Sequence, residues 1–346
     1  MQIDTIDPTR DSTWEDFVRE AAGATVFHSS AWANVLKDTY GFQPRYLAAR
    51  DGCGAIVAGI PLLETRGRRV VSLPFSDQCA PLISDDAAAV ALLAALKTMV
   101  RTNGASSVEL RGGPAADLES QGFHAKEAFV NHALPLDATF AETEKRFDKS
   151  ARQASRKAMR LGVTVHHSAA REDMRRFYLL HVRTRKRHGL LPQPWQFFDG
   201  IHRFFVQPGY GYLLMVEHEG TLVAAGVDLA FRDTLYSKFM ASDMRFKQLS
   251  AGNLLHCSEV ELALSLGCHT LDLGRSDIAG TGLRVYKSRC GGIEEPLPYF
   301  HYPSPATNGA VASPSSLPRR ALAVAVRFAP LWALRHAGAL IYKYAA

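Results

Sequence analysis

The sequence predicts a mixed α/β protein built from two tandem copies of one helix-covered sheet, with a helical tail after them. Three observations predict this. The chain has 346 residues, beyond the size at which a single hydrophobic core usually stops growing. Slid along itself by 166 positions it matches itself, Tyr46-Leu-Ala-Ala-Arg-Asp-Gly-Cys-Gly54-Ala-Ile-Val-Ala58 falling on Tyr212-Leu-Leu-Met-Val-Glu-His-Glu-Gly220-Thr-Leu-Val-Ala224. Each copy also reads in one order, helices first, then about three apolar strands, a helix and a further strand, which is the order of a sheet with helices laid on it.

The matched blocks read as strand, turn, strand, because apolar runs flank a Gly-containing polar dipeptide. The same offset places Ser76-Asp77 on Ser242-Asp243. At a slightly shorter offset Asn103-Gly-Ala-Ser-Ser-Val-Glu-Leu110 resembles Leu266-Gly-Cys-His-Thr-Leu-Asp-Leu273, so an insertion or deletion separates the blocks. A repeat this long is a domain duplication, not a solenoid unit. The closing helix of the first copy runs from Asp85 to Val100, acidic at its start and stopped by Asn103-Gly104; that of the second runs from Gly252 to about Leu266, stopped by Gly267. Between the copies Glu142 to Arg160 predicts one helix rich in Ala, Lys and Arg. Lys145, Lys149, Arg152, Arg156 and Arg160 recur at three- and four-residue steps and share a face, either solvated or anion-binding. The expected divisions are 1–138 and 139–302 for the two domains and 303–346 for a tail. That tail opens with a Pro/Ser-rich linker from Tyr302 to Ser316 and continues from Leu317 as an apolar stretch carrying Arg319, Arg320, Arg327, Arg335 and Lys343. It reads equally as an interfacial membrane helix or as a docked helical pair.

Composition narrows the partners. Apolar residues make up 47% and charged residues 21%, ordinary for a globular chain and unlike a disordered one. A net charge of +6 points to anionic partners such as phosphates, nucleic acid or acidic lipid. The cysteines, Cys53, Cys79, Cys257, Cys268 and Cys290, form no CxxC pair, which argues against a disulfide framework and a structural zinc site. His166-His167 lie on a strand pattern and alternate faces, and there is no HExxH, so no metal is expected. The N-terminus is acidic and lacks a signal-peptide pattern, and no uncharged apolar run approaches a spanning length; the expected location is cytoplasmic, at most peripheral to the inner membrane face.

Two segments carry the chemistry. From Leu271 to Gly292 an apolar strand is expected to enter a glycine-studded loop holding Arg275, Asp277, Arg284, Lys287 and Arg289, suited to an anionic ligand. From Asp243 to Asn253 a strand enters a polar turn and then a helix, so that backbone N–H groups and the helix dipole converge, with Arg245, Lys247, Ser250, Gly252 and Asn253 as a phosphate cradle. Ser250 or Asn253 serving as a plain N-cap is the other reading. There is no GxSxG elbow and no cysteine signature, which favours direct transfer over a covalent enzyme intermediate.

Arg245-Phe-Lys-Gln-Leu-Ser-Ala-Gly-Asn-Leu-Leu followed by a helix and Leu271-Asp-Leu-Gly resembles the phosphate-loop region of N-acetyltransferase (GNAT) folds. The wider order, Phe27-His-Ser-Ser-Ala-Trp32, Arg160-Leu-Gly-Val-Thr-Val, Arg187-His-Gly-Leu and Gly282-Leu-Arg-Val-Tyr-Lys287, is similar to that of Fem-type peptidyltransferases over residues 14 to 302, and most similar to the FemAB-like proteins of exosortase (PEP-CTERM) and exopolysaccharide systems. The resemblance implies two tandem GNAT-like domains and transfer of an acyl or aminoacyl group to an amine of a cell-envelope precursor, peptidoglycan-like or exopolysaccharide, anionic and small or lipid-linked. It implies acyl-CoA or aminoacyl-tRNA as co-substrate with no permanently bound cofactor; the long helical arm of tRNA-using members has no counterpart here. Residue by residue, it implies that Tyr286-Lys287 supports charge at the transfer centre and that Arg187 binds phosphate or carboxylate, with Trp32, Lys37 and Arg275 as further substrate contacts. His188 and Asp277 adjoin these anion-binding residues and are the general-base candidates. An acyl-CoA-dependent amino-sugar acetyltransferase and a non-catalytic scaffold of an envelope system are the alternative functions.

Overall fold

The structure, a computed structural model, describes residues 2–65, 69–102, 105–303 and 317–342. The expected Asn103-Gly104 helix stop and most of the Pro/Ser-rich linker lie outside the described residues. The chain divides into two compact units, Met1–Val130 with Pro296–Val311 and Tyr342–Ala346, and Asn131–Glu295 with Ala312–Ile341.

In the first unit the order is β1 (Gln2–Ile6), α1 (Ser12–Glu20), α2 (Ser30–Tyr40), β2 (Tyr46–Arg50), β3 (Ile56–Ile60), β4 (Leu63–Thr65), β5 (Arg69–Val71), β6 (Leu82–Ile83), α3 (Asp86–Thr102), β7 (Ser107–Arg111), α4 (Ala115–Ser120) and the start of β8 (His124–Pro135). One sheet has the order β1-β2-β3-β6, and β4, β5 and β7 pair in a second. β2 and β3 are the antiparallel strands of the first matched block, Leu47 facing Ile60 and Ala48 facing Gly59. β5 and β7 pair in parallel, Val70 with Val108, which requires the crossover that α3 supplies. Leu92, Leu93 and Leu96 of α3 are buried against Ala49, Ile60, Val108 and Leu110.

The second unit takes the rest of β8, then α5 (Phe140–Thr143), α6 (Lys149–Arg160), β9 (Thr164–Ser168), α7 (Arg171–Arg187), α8 (Trp195–Ile201), β10 (Gly211–His218), β11 (Thr221–Phe231), β12 (Thr234–Ser242), α9 (Ala251–Ser265), β13 (Thr270–Asp277), α10 (Thr281–Arg289), the start of β14 (Ile293–Tyr302), α11 (Leu317–Phe328) and α12 (Leu331–Ile341). Strands run β13-β12-β11-β10-β9. Two-residue turns join β10 to β11 and β11 to β12; Glu219 and Gly220 close the first with φ of 50° and 71°, the positive pair that a tight hairpin needs. β12 then pairs in parallel with β13, Leu235 with Leu271, after the crossover through α9. Leu254, Leu255 and Val260 of α9 pack with Leu214, Val216 and Val223. Each unit therefore combines antiparallel strands with one parallel pair closed by a helix, the duplicated α/β plan read from the repeat.

Two sequence expectations are corrected. The single helix expected over 142–160 is broken at Phe147-Asp148, because Phe147 turns extended (φ −74°, ψ 144°) to bury its ring and Asp148 restarts the helix as N-cap, accepting from the Ser150 N–H at 2.7 Å. The glycine-studded loop expected after Leu271 is instead strand and helix. Gly280 precedes the helix and Gly282 occupies its first turn, leaving Leu-Arg-Val-Tyr-Lys-Ser-Arg to form α10, which ends at Gly291 with φ +85°.

Candidate active site

Three segments of the second unit build the site. The first is the turn between β12 and α9. Asp243 accepts from the Arg245 N–H at 3.0 Å and grips the Arg245 guanidinium, with Nη2 to Oδ2 at 2.6 Å. A 3-10 turn over Met244–Leu249 follows, and Ser250 takes φ +56° before α9 begins. Ser250 occupies the cap position without a side-chain cap bond, and its carbonyl accepts from the Asn253 N–H at 3.0 Å. Asn253 sits inside the first turn. The Asn253 and Leu254 N–H groups both pair with the Ser250 carbonyl, and the aligned peptide dipoles leave this helix end with partial positive charge. Beside it lies a cavity of about 760 Å³ lined by Ser150, Gln153, Arg156, Lys157, Arg160 and Ser250, among others. The basic face of α6 and the Ser250 turn thus share one cavity. Lys247 is exposed on the same turn.

The second segment is β13 with α10. Gly274 has φ +73° within the strand, a conformation that glycine alone adopts without strain. Its N–H is anchored on Asp272 Oδ1 at 2.6 Å. Its carbonyl accepts from Lys287 Nζ at 2.7 Å, and the Arg275 carbonyl accepts from the same ammonium at 3.0 Å. Lys287 is only 7% exposed; the two carbonyls give its charge the partners that burial demands. Tyr286 donates its hydroxyl to the Gly252 carbonyl at 3.4 Å, tying α10 to the turn of the first segment. Burial holds the Tyr286 hydroxyl well above its ordinary pKa, so it is a donor, never a phenolate. Asp277 is exposed where β13 ends, its carbonyl accepting from Gly280 N–H at 2.8 Å.

The third is the end of α7. Arg187 Nη1 donates to the Ser242 carbonyl at 3.3 Å and its Nη2 lies 3.0 Å from His188 Nε2. Ser242 directly precedes the turn, so Arg187 and His188 arrive at its base. Burial, then the charges of Arg187, Arg185 and Arg327, lower the His188 pKa, leaving a neutral imidazole at neutral pH. Trp32 and Lys37 lie in the first unit. Trp32 is fully buried against Phe27, and Lys37 Nζ donates to Asp7 Oδ2 at 3.0 Å and Thr9 Oγ1 at 2.8 Å.

Sequence reasoning missed the polar residues beneath Lys287. His132 is fully buried, its Nε2 3.3 Å from Glu294 Oε2, and Glu294 is held bidentately by Arg284 at 2.7 and 2.8 Å. Burial and the Lys287 charge depress the His132 pKa. Glu294 and Arg284 also line a second cavity of about 630 Å³. Asn131 donates to Asp272 Oδ2 at 3.0 Å. No local pattern marks these positions; only pairings across 141 residues, as for Asn131 and Asp272, reveal them. The buried thiols of Cys257 and Cys290 are pushed up by burial to about 11 and about 12, so neither is a nucleophile at neutral pH. Among the described residues no group of three His, Cys, Asp or Glu side chains is placed to hold a metal ion.

An antiparallel sheet opening into a parallel pair, a turn-to-helix cradle at that opening, and charge donors around it define an acyltransferase fold of the GNAT class, present in tandem. Residues 145–288 match the acetyltransferase (GNAT) domain family, and the chain is accordingly an N-acyltransferase. The fold is similar to that of FemX at 17% identity, covering 87% of this chain and 97% of that one with a TM-score of 0.71. It is also similar to L-PGS from Bacillus licheniformis at 14% identity, covering 96% and 98% with a TM-score of 0.58. A tandem GNAT protein from the clavulanic acid biosynthesis pathway matches at 13% identity, covering 88% and 99% with a TM-score of 0.57. No curated protein matches the chain in sequence.

Proposed function

We propose that the second unit transfers an acyl or aminoacyl group from a phosphate-bearing donor to an amine of an anionic cell-envelope precursor, of the exopolysaccharide or peptidoglycan kind, at the inner membrane face. The observation that carries this is the cavity shared by α6 and the Ser250 turn. Lys157 and Arg160 supply charge there, and the N-terminus of α9 supplies oriented N–H donors, the combination that binds a pyrophosphate or a nucleic-acid phosphate. Arg245 is engaged by Asp243 and shapes the turn. Gly252 and the Tyr286 hydroxyl join this cradle to Lys287, so the reacting carbonyl lies toward α10.

In the transfer, the amine nitrogen attacks the donor carbonyl, a C–N bond forms, and the C–S bond of a thioester or the C–O bond of an ester breaks. The leaving thiolate or alkoxide and the intermediate oxyanion need positive surroundings, the role assigned to Lys287. His188, a neutral imidazole, takes the amine proton at Nε2 once the acceptor's anion draws the Arg187 guanidinium away from that nitrogen; Asp277 is the second candidate for that step. Arg187 and Arg275 bind the acceptor's phosphate or carboxylate; Trp32, buried against Phe27, and Lys37, paired with Asp7, are spent within the first unit. Acyl-CoA is the first donor to try, since the matched domain is an acetyltransferase; aminoacyl-tRNA is the second.

Steady-state assays with acyl-CoA and aminoacyl-tRNA panels test the reading. Lys157→Ala/Arg160→Ala is expected to raise the KM for donor by about tenfold or more with kcat changed much less, as loss of uniform binding. Lys287→Met, which keeps the aliphatic stem, is expected to abolish transfer in a protein with an unchanged circular dichroism spectrum. A donor KM that stays at the parent value in the first variant would remove the cavity from donor binding.

A further inference from the structure

The tail resolves into two helices with an unusual distribution of side chains. One face of the pair is docked. Val326 and Leu334 are buried, Gly189 lies against Ala323 with no room for a Cβ, Gly338 abuts the Pro192 carbonyl, and the Arg335 guanidinium sits 5.6 Å above the Tyr178 ring of α7. The opposite face would ordinarily be polar. It is apolar instead: Phe328 is 83% exposed, Trp332 68%, Leu340 67% and Val324 51%, with Leu322 and Ile341 also open. Phe328 and Trp332 flank the Ala329-Pro330 corner between the helices, where an inserted ring is least hindered.

The sequence of this tail carries charge of one sign. From Pro303 to Ala346 there are Arg319, Arg320, Arg327, Arg335 and Lys343 and not one Asp or Glu. Exposed aromatic and aliphatic side chains on an acid-free, basic segment, with the exposed Arg327 next to Phe328, are complementary to an anionic lipid surface, where rings enter the acyl boundary and guanidinium groups meet phosphates. α11 and α12 have 12 and 11 residues, too few to span a bilayer, and among the described residues no helix is long and apolar enough to cross one. They fit lying flat on it.

We infer that α11 and α12 form an interfacial anchor for anionic membranes, with Phe328 and Trp332 as the inserted side chains and Arg327 as a flanking phosphate contact. The inference rests on the membrane-peripheral part of the reading above and not on its chemistry. Its consequence for that site is positional. The docked face packs against Gly189 and Pro192, immediately after Arg187-His188, so the bilayer would be held near the residues proposed to receive the acceptor.

The test is flotation of the full-length protein with phosphatidylcholine vesicles, with and without half phosphatidylglycerol, at low salt and at 0.5 M NaCl. The expected result is binding to the phosphatidylglycerol vesicles alone, weakened by salt, with a blue shift of the Trp332 emission read as the difference from a Trp332→Phe protein. Phe328→Ser/Trp332→Ser, both at exposed positions and so compatible with folding, is expected to lower the partition coefficient by about tenfold or more. Failure to float with phosphatidylglycerol vesicles, or undiminished flotation of the double variant, overturns the inference. So does a concentration-dependent dimer, seen by sedimentation velocity and dissociated by the double substitution in a protein that ignores vesicles, since the face would then belong to a second copy. Vesicle binding is read without any activity, so loss of transfer in the Lys287→Met protein leaves this result untouched.

Discussion

Replacing Asp228 with Asn should flatten the dependence of stability on pH. Asp228 lies on β11, fully buried, and neither carboxylate oxygen has a hydrogen-bond partner. Glu259 of α9, also fully buried, accepts from Ser237 Oγ at 3.0 Å, and Ser237 is the cross-strand neighbour of Asp228. Burial first, and the Glu259 charge second, raise the Asp228 pKa well above its ordinary value. The folded protein therefore keeps a proton that the unfolded chain releases above about pH 3.9. A raised folded pKa makes the folded state the better proton binder, so stability is greatest below the unfolded pKa and falls as pH rises toward the folded one. While the folded carboxyl holds its proton, the slope is about 1.36 kcal/mol per pH unit. For a unit of this size that corresponds to roughly 3 to 5 °C of Tm per pH unit. Asn has nearly the same shape and no proton to lose. Differential scanning fluorimetry of both proteins from pH 4.5 upward should show the Tm difference, variant minus parent, growing with pH at about that slope. Parallel profiles would refute a protonated Asp228.

Three further outcomes follow from named contacts. Gly59→Ala would drive a methyl into the Trp14 indole, which packs directly over Gly59, and should destabilise the first unit by about 1 to 3 kcal/mol in denaturant unfolding. Gly274→Ala forces a side chain onto φ +73° at the carbonyl that holds Lys287; about 1 to 2 kcal/mol of strain and a loss of kcat are expected together, and a stable variant with unchanged kcat would detach Lys287 from the reaction. If His188 is the base, its lowered pKa keeps activity flat from pH 8 to below about 6.5, with an acid limb beneath that. His188→Gln should then lose both rate and acid limb, whereas a limb that persists in His188→Gln passes the role to another group such as Asp277.

The duplicated plan was legible because apolar strand runs, Gly220 and Gly267 recur at matching places and need no long-range information. The phosphate-type turn was legible for the same reason, as strand, polar turn and helix are consecutive. The break at Phe147-Asp148 was not, because helix propensity over 142–160 is locally uniform and only burial of the Phe147 ring overrides it. Nor was α10: glycines at 280 and 282 read as a loop until Lys287 and Cys290 are seen to be buried. Charged residues that looked alike in sequence also separate. Arg245 is clamped by Asp243, Arg284 by Glu294 and Lys37 by Asp7, while Lys157 and Arg160 face a cavity.

By itself the sequence determined the α/β class, the duplication, the basic balance, the segments in which chemistry would be sought and the acid-free apolar tail. These depend on periodicity, turn chemistry and composition, all local. Tertiary structure alone decided which charges are spent on partners, that Gly274 turns its carbonyl to Lys287, that His132 and Glu294 lie beneath it, and that the tail docks one apolar face while leaving the other open. Each of those depends on residues far apart in the chain meeting at hydrogen-bond or van der Waals distance, where burial makes an unpaired charge costly and so dictates the pairing.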